Sequence, residues 1–332
     1  MDGPLLMAID GNSLVHRSYH AQAHTGVPAW AVRGLLGQLV AAVERIRPTA
    51  VVVGFDDPQR SERRERWPQY KAQRTEKLET LVEQLALAGE TLRELGVTVV
   101  VPPGLEADDV LASAAEHARR CGGETVIVTS DRDAFALIDD STRVLRIING
   151  GVEASPLMTA ERLVMLLGVR PEQYRDYAAL RGDPSDNLPG VRGVGPRTAA
   201  RLLAEFGSAA AAFDAPEAVA GRFGPGLARK LAAAEARENW QRNCQVMTMR
   251  RDVAVAPRPL PLDPAQVATT FRRQQLTWTV NDAVRVLAGV DEAPKEPPAW
   301  VDASWQAHSA PPRLPKLPPR KPVMAQLTLF DY

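Results

Sequence analysis

Short runs of aliphatic and β-branched residues recur along the first half of the chain, separated by longer stretches with helical periodicity. The apolar runs are LLMAI (5–9), AVVVGF (50–55), VTVVV (97–101), TVIVT (125–129) and VLRII (144–148). Nearly continuous apolar runs of this length are typical of strands buried on both faces of a parallel sheet. Strands alternating with helices therefore predict an α/β fold, with a central, mostly parallel sheet flanked by helices.

The stretches between these runs carry apolar residues at helical spacing. They are WAVRGLLGQLVAAVERI, LETLVEQLALAGETLREL and DVLASAAEHARR. Beyond about residue 155 the strand pattern ends, and three segments predict short helices that each stop at a glycine: MTAERLVMLLG, PEQYRDYAALRG and GPRTAARLLAEFG. We therefore expect an α/β domain over residues 1–175 and a helical region over residues 176–290.

The C-terminal part of the chain changes character. From about residue 291 it is rich in proline and lacks apolar periodicity, which predicts a semi-rigid, largely disordered linker over residues 291–325. The final residues, 326–332, are apolar again. An apolar end on a polar linker is either an incidental feature or a short binding peptide.

Composition narrows the class of protein. The 332 residues have room for about two domains. Cys121 and Cys244 are too few for a disulfide framework or a zinc site, which fits a reducing compartment. The start lacks a charged leader, and no run of 18 apolar residues exists, so we expect a cytoplasmic protein without a membrane span.

Carboxylates follow four of the predicted strands. They are Asp10, Asp56, Glu106, Asp108, Asp109, Asp131 and Asp133. An Asp after a strand is often only a turn residue, and an acid in the first turn of a helix interacts well with the helix dipole. The carboxyl ends of parallel strands share one edge of the sheet, however, so these groups should meet there. Their mutual repulsion favours a bound cation over the purely structural interpretation.

The candidate ligands are all oxygen donors, which suits Mg²⁺ or Mn²⁺ and argues against zinc. The phrase GDPSDN adds Asp183 and Asp186, so there are more carboxylates than one ion needs. We therefore expect two divalent ions. Paired ions of this kind support in-line displacement at phosphorus.

Two segments are candidates for contacts with nucleic acid. Residues 60–77 hold seven Lys and Arg against three Glu in a chain of zero net charge, with Trp67 and Tyr70 interleaved. This pattern suits base stacking and phosphate contact on a single strand, although a solvated helix face is the simpler alternative. In GVRGVGPRTAARLL, Gly193 and Gly195 precede a predicted helix, and flanking arginines suit a grip on a DNA backbone. A plain turn is the alternative.

Six motifs occur in an order that resembles a known family. They are AIDGNSLVHRSYHA, GFDD, RWPQYKAQR, GLEADDVLA, VTSDRDAFAL and LRGDPSDNLPGVRGVGPRTA, within residues 5–290. The family is that of the bacterial and phage 5′-3′ exonucleases or flap endonucleases, related to the 5′-nuclease domain of DNA polymerase I. The resemblance implies a PIN-like 5′-nuclease fold and a metal-dependent 5′-flap endonuclease and 5′-3′ exonuclease that acts on DNA in replication or repair.

The resemblance also implies roles for individual residues. The first metal would be served by Asp10, Asp56, Glu106, Asp108 and Asp109, and the second by Asp131, Asp133, Asp183 and Asp186. Lys71 would contact the scissile phosphate as an electrostatic catalyst, with Arg74 or Arg63 nearby. DNA contacts would come from Arg17, Trp67, Tyr70, Arg192, Gly193, Gly195, Arg197 and Thr198.

Two larger features follow from the same resemblance. Residues 66–90 would form a helical arch that admits a free 5′ end. Residues 188–206 would form a helix–three-turn–helix element that grips duplex DNA, commonly with a K⁺ ion at its carbonyls. The sequence departs from the family at Pro196-Arg197, where Glu-Lys is usual, but this change removes no charged ligand.

The ending QLTLFDY resembles the bacterial sliding-clamp-binding peptide, with Gln326, Leu327, Leu329 and Phe330 as the anchoring residues. Tethering would raise the enzyme's local concentration at DNA. We expect a stand-alone, monomeric, nucleoid-associated nuclease without a polymerase domain. Two alternatives remain open, namely a ribonuclease of related fold and a clamp-tethered protein that binds DNA junctions without cutting them.

Overall fold

The computed structural model of the protein describes residues 3–22, 27–74 and 77–294. The clamp-binding-like peptide, with Gln326, Leu327, Leu329 and Phe330, and nearly all of the predicted linker lie outside the described residues. The predictions made for them therefore stay predictions.

A seven-stranded, mostly parallel sheet forms the centre of the first domain. Its strands are β1 (Leu5–Asp10), β2 (Ala50–Gly54), β3 (Thr98–Val100), β4 (Glu124–Thr129), β5 (Thr142–Arg146), β6 (Leu157–Met158) and β9 (Arg258–Pro259). The order is β3-β2-β1-β4-β5-β6, in which the first five strands are parallel and β6 is antiparallel to β5. The predicted α/β fold class is confirmed.

The order of the strands places a topological switch point between β1 and β4. From β1 the chain builds outward through β2 and β3, and it then returns to add β4 and β5 on the other side of β1. Ligands of open α/β sheets bind in the crevice outside the carboxyl ends of the strands at such a point. Asp10 ends β1, and Asp131 comes shortly after β4.

Helices cover both faces of this sheet. Those of the first domain are α1 (Gly11–Gln22), α2 (Trp30–Ile46), α3 (Glu62–Arg66), α4 (Glu79–Glu94), α5 (Ala107–Arg120), α6 (Gly151–Ala154) and α7 (Ala160–Leu167). Alternate residues of β1 enter opposite cores, Met7 and Ile9 towards α1, α2 and α4, and Leu6 and Ala8 towards α5. No helix in the described ranges combines the length and the apolar character that crossing a membrane requires.

The second region is helical, as predicted. It contains α8 (Tyr174–Arg181), α9 (Pro196–Phe206), α10 (Ala209–Asp214), α11 (Pro216–Phe223), α12 (Pro225–Leu231) and α13 (Ala234–Val246), with a small antiparallel ribbon of β7 (Gly182–Asp183) and β8 (Leu188–Pro189). The ribbon is tight, because a Cβ on Gly182 would lie 2.2 Å from the backbone nitrogen of Gly190. Strands of two residues are too short to show periodicity, so the sequence did not predict them.

The last described helices return to the first domain. These are α14 (Pro264–Arg273) and α15 (Val280–Ala288), and their apolar residues Phe271 and Leu287 join the core formed by α2 and α4. β9 pairs with β2 on the same side of the molecule. Residues 258–288, which the sequence assigned to the helical DNA-binding region, therefore complete the α/β domain.

The predicted helical arch is not seen among the described residues of 66–90. Residues 67–74 form turns, and α4 packs on the body of the domain with Leu81, Ala88 and Leu92 buried. The helical periodicity of this segment was interpreted correctly. Its apolar face contacts the core instead of standing free of it.

Candidate active site

A cavity of about 860 Å³ opens at the switch point of the sheet, and carboxylates line one wall of it. Seven of the nine predicted metal ligands are in this lining, namely Asp10, Asp56, Glu106, Asp108, Asp131, Asp133 and Asp183. They come from the ends of β1, β2 and β4, from the start of α5 and from the β7–β8 ribbon. We call these seven residues the carboxylate wall.

Asp10 is buried at the centre of this wall. Its Oδ1 accepts a hydrogen bond from the Ser13 N–H (2.9 Å), and its Oδ2 accepts one from the Thr129 hydroxyl (2.7 Å). Burial raises the pKa of Asp10 to about 7, reinforced by the charges of Asp56 and Asp131 and opposed by the two hydrogen bonds. Thr129 also accepts from the Asp131 N–H (3.0 Å), so a single side chain links the ends of β1 and β4.

Asp56 is held in place by a residue that the sequence analysis did not single out. The Asn12 amide donates to Asp56 Oδ2, and the Asp56 N–H donates to Asn12 Oδ1, both at 2.9 Å. The N–H of Ala107, at the start of α5, donates to Asp56 Oδ1 (3.0 Å). These bonds fix the end of β2 against α1 and α5. The only sequence signal was that Asn12 lies two residues after Asp10.

Two more carboxyl groups of the wall are difficult to ionise. Withdrawal from solvent and the nearby Asp131 raise the pKa of Asp108 well above its ordinary value. The same two causes, with Asp183 and Asp186 added, raise the pKa of Asp133 to about 8. The wall therefore holds more negative charge than the protein alone compensates.

Asp133 meets the acids of the β7–β8 ribbon. One carboxylate oxygen from each of Asp133, Asp183 and Asp186 lies within 4.8 Å of the other two, which is a grouping that could hold a metal ion. Asp183 Oδ1 accepts from the N–H and the hydroxyl of Ser185, both at 2.7 Å. Asp186 accepts from Arg74 and faces a small adjoining cavity, and burial raises its pKa.

Lys71 lines the same cavity as Asp10. Its Nζ donates to Glu106 Oε2 (3.1 Å), and its N–H donates to the carbonyl of Asp186 (2.9 Å), which holds its backbone in the left-handed region at φ 55°. Burial alone would lower the pKa of Lys71, but Glu106 and Asp186 raise it above its ordinary value. Lys71 is thus a fixed cation that faces the cavity, as Arg74 also does.

Asp109, which was predicted to serve the first metal, and Arg63, which was predicted to assist catalysis, form a buried ion pair. The Arg63 guanidinium donates to both oxygens of Asp109 at 2.7 Å, and the N–H groups of Glu106 (3.0 Å) and Arg250 (2.7 Å) complete the shell around this carboxylate. Asp109 is 0% exposed. Neither residue lines the main cavity. Four donors thus surround the two oxygens of Asp109, and in this structure the carboxylate is the structural partner of Arg63.

Tyr70, which was predicted to contact DNA, is buried in a small apolar cluster. Its ring is 6% exposed and packs with Leu188 and Val246, and its hydroxyl donates to Glu106 Oε2 (3.1 Å). Trp67 packs partly buried against the same cluster, with the Arg66 guanidinium 4.7 Å from its ring centre. The aromatic residues that alternate with basic ones in this segment therefore contribute to packing within the protein.

Several cations of the cavity were missing from the sequence-based site. Besides Arg17, which was predicted to contact DNA, the lining includes Arg132, Arg146 and Arg181. Arg132 lies between two predicted ligands in SDRD, but a single basic residue among acids gives no signal of its own. Arg146 ends β5 and is opposite Thr129 in the strand register, one strand away from the carboxylate wall.

The predicted duplex-binding residues form a separate exposed turn, outside the lining of the main cavity. Gly193 has φ +78°, and Gly195 precedes α9, which begins at Pro196. Arg192 and Arg197 are exposed on this turn, and Thr198 is partly exposed. Lys230, from α12, approaches so closely that a Cβ on Gly193 would lie 2.4 Å from its Nζ. Lys230 adds a cation that the sequence analysis did not identify.

Comparison with known proteins agrees with this architecture. Residues 5–166 match the family model described as 5′-3′ exonuclease, N-terminal resolvase-like domain, and residues 169–269 match 5′-3′ exonuclease, C-terminal SAM fold. DNA polymerase I of Mycobacterium tuberculosis is 38% identical over 262 residues, which is 77% of this chain and 28% of the polymerase. A 5′-3′ exonuclease of Aquifex aeolicus is 36% identical over 207 residues, which is 61% of this chain and 70% of that protein. The chain thus spans about a quarter of the length of the polymerases that it matches.

Solved structures share the fold at lower identity. The T5 D15 protein, co-crystallised with metal ions, has a TM-score of 0.62 at 19% identity and covers 86% of this chain and 94% of its own. The catalytic core of Rad2 in complex with DNA substrate has a TM-score of 0.56 at 18% identity, over 86% and 92%. Because the two family models together match well over half of the sequence, the protein belongs to the 5′-3′ exonuclease family.

Proposed function

We propose that the protein is a metal-dependent, structure-specific 5′ nuclease that hydrolyses DNA phosphodiester bonds near single-strand/duplex junctions. Its substrates would be 5′ flaps and 5′ ends that arise in replication and repair. The observation that carries the proposal is the carboxylate wall, where seven acids from separate elements face one cavity together with Lys71. Family membership supports the same conclusion.

The residues present fit a pair of divalent cations. The donors are all carboxylate oxygens, the ligand type that Mg²⁺ and Mn²⁺ prefer. Burial and mutual repulsion raise the pKa values of Asp10, Asp108 and Asp133, so a cation bound between these carboxylates would stabilise their ionised forms. One ion would be held by Asp10, Asp56, Glu106 and Asp108, and the other by Asp131, Asp133, Asp183 and Asp186. Bound ions of this kind activate a water molecule and stabilise the leaving oxygen.

The protein's own cations would position the phosphate. The Lys71 ammonium is held at the cavity by Glu106, and Arg74 is held by Asp186, so both point towards the wall that would hold the ions. A fixed cation beside a transferring phosphoryl group stabilises the charge that develops in the transition state. The raised pKa of Lys71 keeps it protonated at neutral pH. Hydrolysis would proceed without a covalent enzyme intermediate.

The exposed turn at Gly193 and Gly195 would bind the duplex next to the cleavage site. Its open N–H groups and the start of α9 suit a backbone phosphate, and Arg192, Arg197 and Lys230 would add charge. The resemblance to the family further implies a K⁺ ion at the carbonyls of this turn. The Rad2 core, which shares the fold, was crystallised with a DNA substrate.

The test uses a 5′-flap DNA labelled on the flap strand, incubated with Mg²⁺ or Mn²⁺, with an RNA–DNA hybrid run in parallel. We expect metal-dependent cuts at the flap junction, preferred over cleavage of the hybrid. Preference for the hybrid would support the ribonuclease alternative. Tight binding of the flap without cleavage under either metal would support the non-catalytic junction-binding alternative.

We also propose that residues 326–332 recruit the enzyme to the bacterial sliding clamp. The support is the likeness of QLTLF to clamp-binding peptides and its place after a proline-rich segment. Phe330→Ala should abolish binding of the full-length chain to purified clamp in a pull-down and leave flap cleavage without clamp unchanged. Unaltered clamp binding would exclude this role.

A further inference from the structure

Three arginines that line the cavity have no acidic ion-pair partner among the described residues. Arg17 comes from α1, Arg132 follows β4, and Arg146 ends β5. Among the described residues, no carboxylate lies within 4.0 Å of any of these three guanidinium groups. By contrast, Arg63 and Arg74, beside the carboxylate wall, are both ion-paired. We call the three residues the arginine wall.

The environment of Arg146 shows that the arginine wall lacks a partner. Its Nε is buried and has no hydrogen-bond partner within the described residues. Burial and the charges of Arg132 and Arg17 lower its pKa, while Asp131 attracts it only from beyond ion-pair distance. Arg17 makes one hydrogen bond, from Nη2 to Asn149 Oδ1 (3.0 Å), which aims it along the same wall. Three like charges gathered without a direct ion-pair partner repel one another, which an anion bound among them would offset.

The chemistry of the wall points to a phosphate. Guanidinium groups bind phosphate oxygens through paired N–H donors, and several of them together suit a dianion better than a monoanion. A 5′-terminal phosphate carries a charge of about −1.5 to −2 at neutral pH, whereas an internal phosphodiester carries only one negative charge. The register of β4 with β5 places Arg146 beside Thr129, which itself contacts Asp10 and Asp131. The two walls are therefore neighbours in one cavity.

We propose that Arg17, Arg132 and Arg146, with Asn149, form a subsite that binds the 5′-terminal phosphate of the substrate strand. The inference rests on the proposed nuclease function and adds a recognition element to it. Anchoring the terminal phosphate on the arginine wall would place the first phosphodiester bonds beside the carboxylate wall. The enzyme would thereby distinguish phosphorylated from unphosphorylated 5′ ends.

The test measures binding, so that it does not depend on catalysis. Two DNA duplexes with a short 5′ overhang, identical except for a 5′-phosphate or a 5′-hydroxyl, would be titrated with full-length protein in EDTA at pH 8 and followed by fluorescence anisotropy. We expect wild type to bind the phosphorylated DNA about tenfold more tightly, a ratio that corresponds to about 1.4 kcal/mol. Arg146→Gln and Arg132→Gln should each reduce this ratio towards one.

The matched control is Arg285→Gln, an exposed arginine on α15 that pairs with Glu44, which should keep the wild-type ratio. Thermal melting would establish that each variant is folded, and Arg146→Lys, which keeps one donor group and the charge, should give an intermediate ratio. A wild-type ratio of one, with Arg146→Gln weakening both DNAs equally, would show that the wall binds an internal phosphate and would overturn the assignment. Unchanged binding of both DNAs by Arg146→Gln and Arg132→Gln would overturn it as well.

Failure of the nuclease proposal would look different. If wild type binds the phosphorylated end more tightly but cuts neither DNA with Mg²⁺ or Mn²⁺, the subsite is supported and the nuclease proposal is wrong. If the protein cuts flap DNA but binds phosphorylated and unphosphorylated ends equally well, the nuclease proposal stands and the proposed phosphate subsite is wrong.

Discussion

Asp108 and Asp109 are neighbours in the sequence and lie in opposite electrostatic environments. Asp109 accepts four hydrogen bonds, two of them from the Arg63 guanidinium, and is sealed inside the protein. Within the described part of the chain Asp108 has no hydrogen-bond donor, faces the cavity, and has a pKa raised well above its ordinary value. At the start of α5, Asp108 thus belongs to the carboxylate wall, whereas the next residue, Asp109, belongs to a structural ion pair.

The difference shows how a structural acid can be told from a functional one. Successive residues of a helix point about 100° apart, so Asp108 and Asp109 cannot face the same side. Where the protein supplies a full set of donors, as around Asp109, the carboxylate stabilises the fold. Where it supplies too few, as around Asp10, Asp108 and Asp133, the unfavourable charge marks a candidate binding site, which we propose is filled by divalent ions.

The largest expected effect is on catalysis. Asp108→Asn removes a charge from the carboxylate wall and should lower metal-dependent flap cleavage by about a thousandfold, as loss of a single essential group typically does. The fold should persist, because the change removes an unfavourable charge. Single-turnover cleavage rates and urea denaturation would be measured on the same preparation. Near-normal cleavage by Asp108→Asn would contradict its role as a ligand.

The next effect is on stability. Asp109→Asn leaves the buried Arg63 guanidinium without its partner and should lower the free energy of unfolding by about 3–5 kcal/mol. Urea denaturation monitored by circular dichroism gives this quantity. Asp252→Asn is the matched control, since it removes a carboxylate from an exposed pair with Arg250 and should change stability little. Equal stability of the two variants would mean that the Arg63–Asp109 pair does not support the fold.

Stability without metal should depend on pH in a defined direction. The folded-state pKa values of Asp10, about 7, and Asp133, about 8, lie above the unfolded value near 3.8, so the folded state binds more protons between these limits. The free energy of unfolding contributed by these groups therefore falls as pH rises from about 4 to about 8. Asp133→Asn should flatten this slope in EDTA. A slope that is unchanged in the variant would exclude the raised pKa of Asp133 as its source.

Divalent ions should oppose that loss. Because metal ions bind the ionised carboxylates, Mg²⁺ or Mn²⁺ should raise the melting temperature more at pH 8 than at pH 5. At a hundred times the dissociation constant the stabilisation would be about 2.7 kcal/mol. Differential scanning calorimetry at the two pH values measures it. A melting temperature that saturating metal does not change at pH 8 would count against the site.

The smallest effect concerns the boundary between the two environments. Tyr70→Phe removes one of the two side-chain donors to Glu106 Oε2 and leaves the hydrogen bond from Lys71 in place. We expect it to lower the free energy of unfolding by about 1 kcal/mol. Tyr70 is buried, so Tyr70→Ala and Tyr70→Phe should differ in stability far more than in affinity for single-stranded DNA. A large specific loss of single-strand affinity in folded Tyr70→Ala would restore the stacking role that the sequence suggested.

The sequence predicted the fold class and most of the carboxylates that line the cavity, for identifiable reasons. Buried parallel strands show as nearly continuous apolar runs, and the carboxyl ends of such strands share one edge of the sheet. The sequence alone therefore places Asp10 and Asp131 near each other. The motif resemblance added Lys71 and the acids of GDPSDN, which periodicity alone could not locate.

The features that the sequence did not reveal have a common physical origin. The sequence gives the order of Asp108 and Asp109 but not their directions, and the donors that neutralise Asp109 come from residues 46 and 141 positions away. The arginine wall is assembled from α1, the loop after β4 and the end of β5, so no local sequence pattern predicts it. The packing of residues 258–288 on the first domain likewise depends on contacts between residues far apart in the sequence.

The most direct test of the account is a crystal of the wild-type protein soaked in Mn²⁺ and measured for anomalous scattering. We predict anomalous peaks at the carboxylate wall, between Asp10 and Asp108 and at the cluster of Asp133, Asp183 and Asp186, and none beside Asp109. An empty carboxylate wall at saturating Mn²⁺, or a peak coordinated by Asp109, would contradict it.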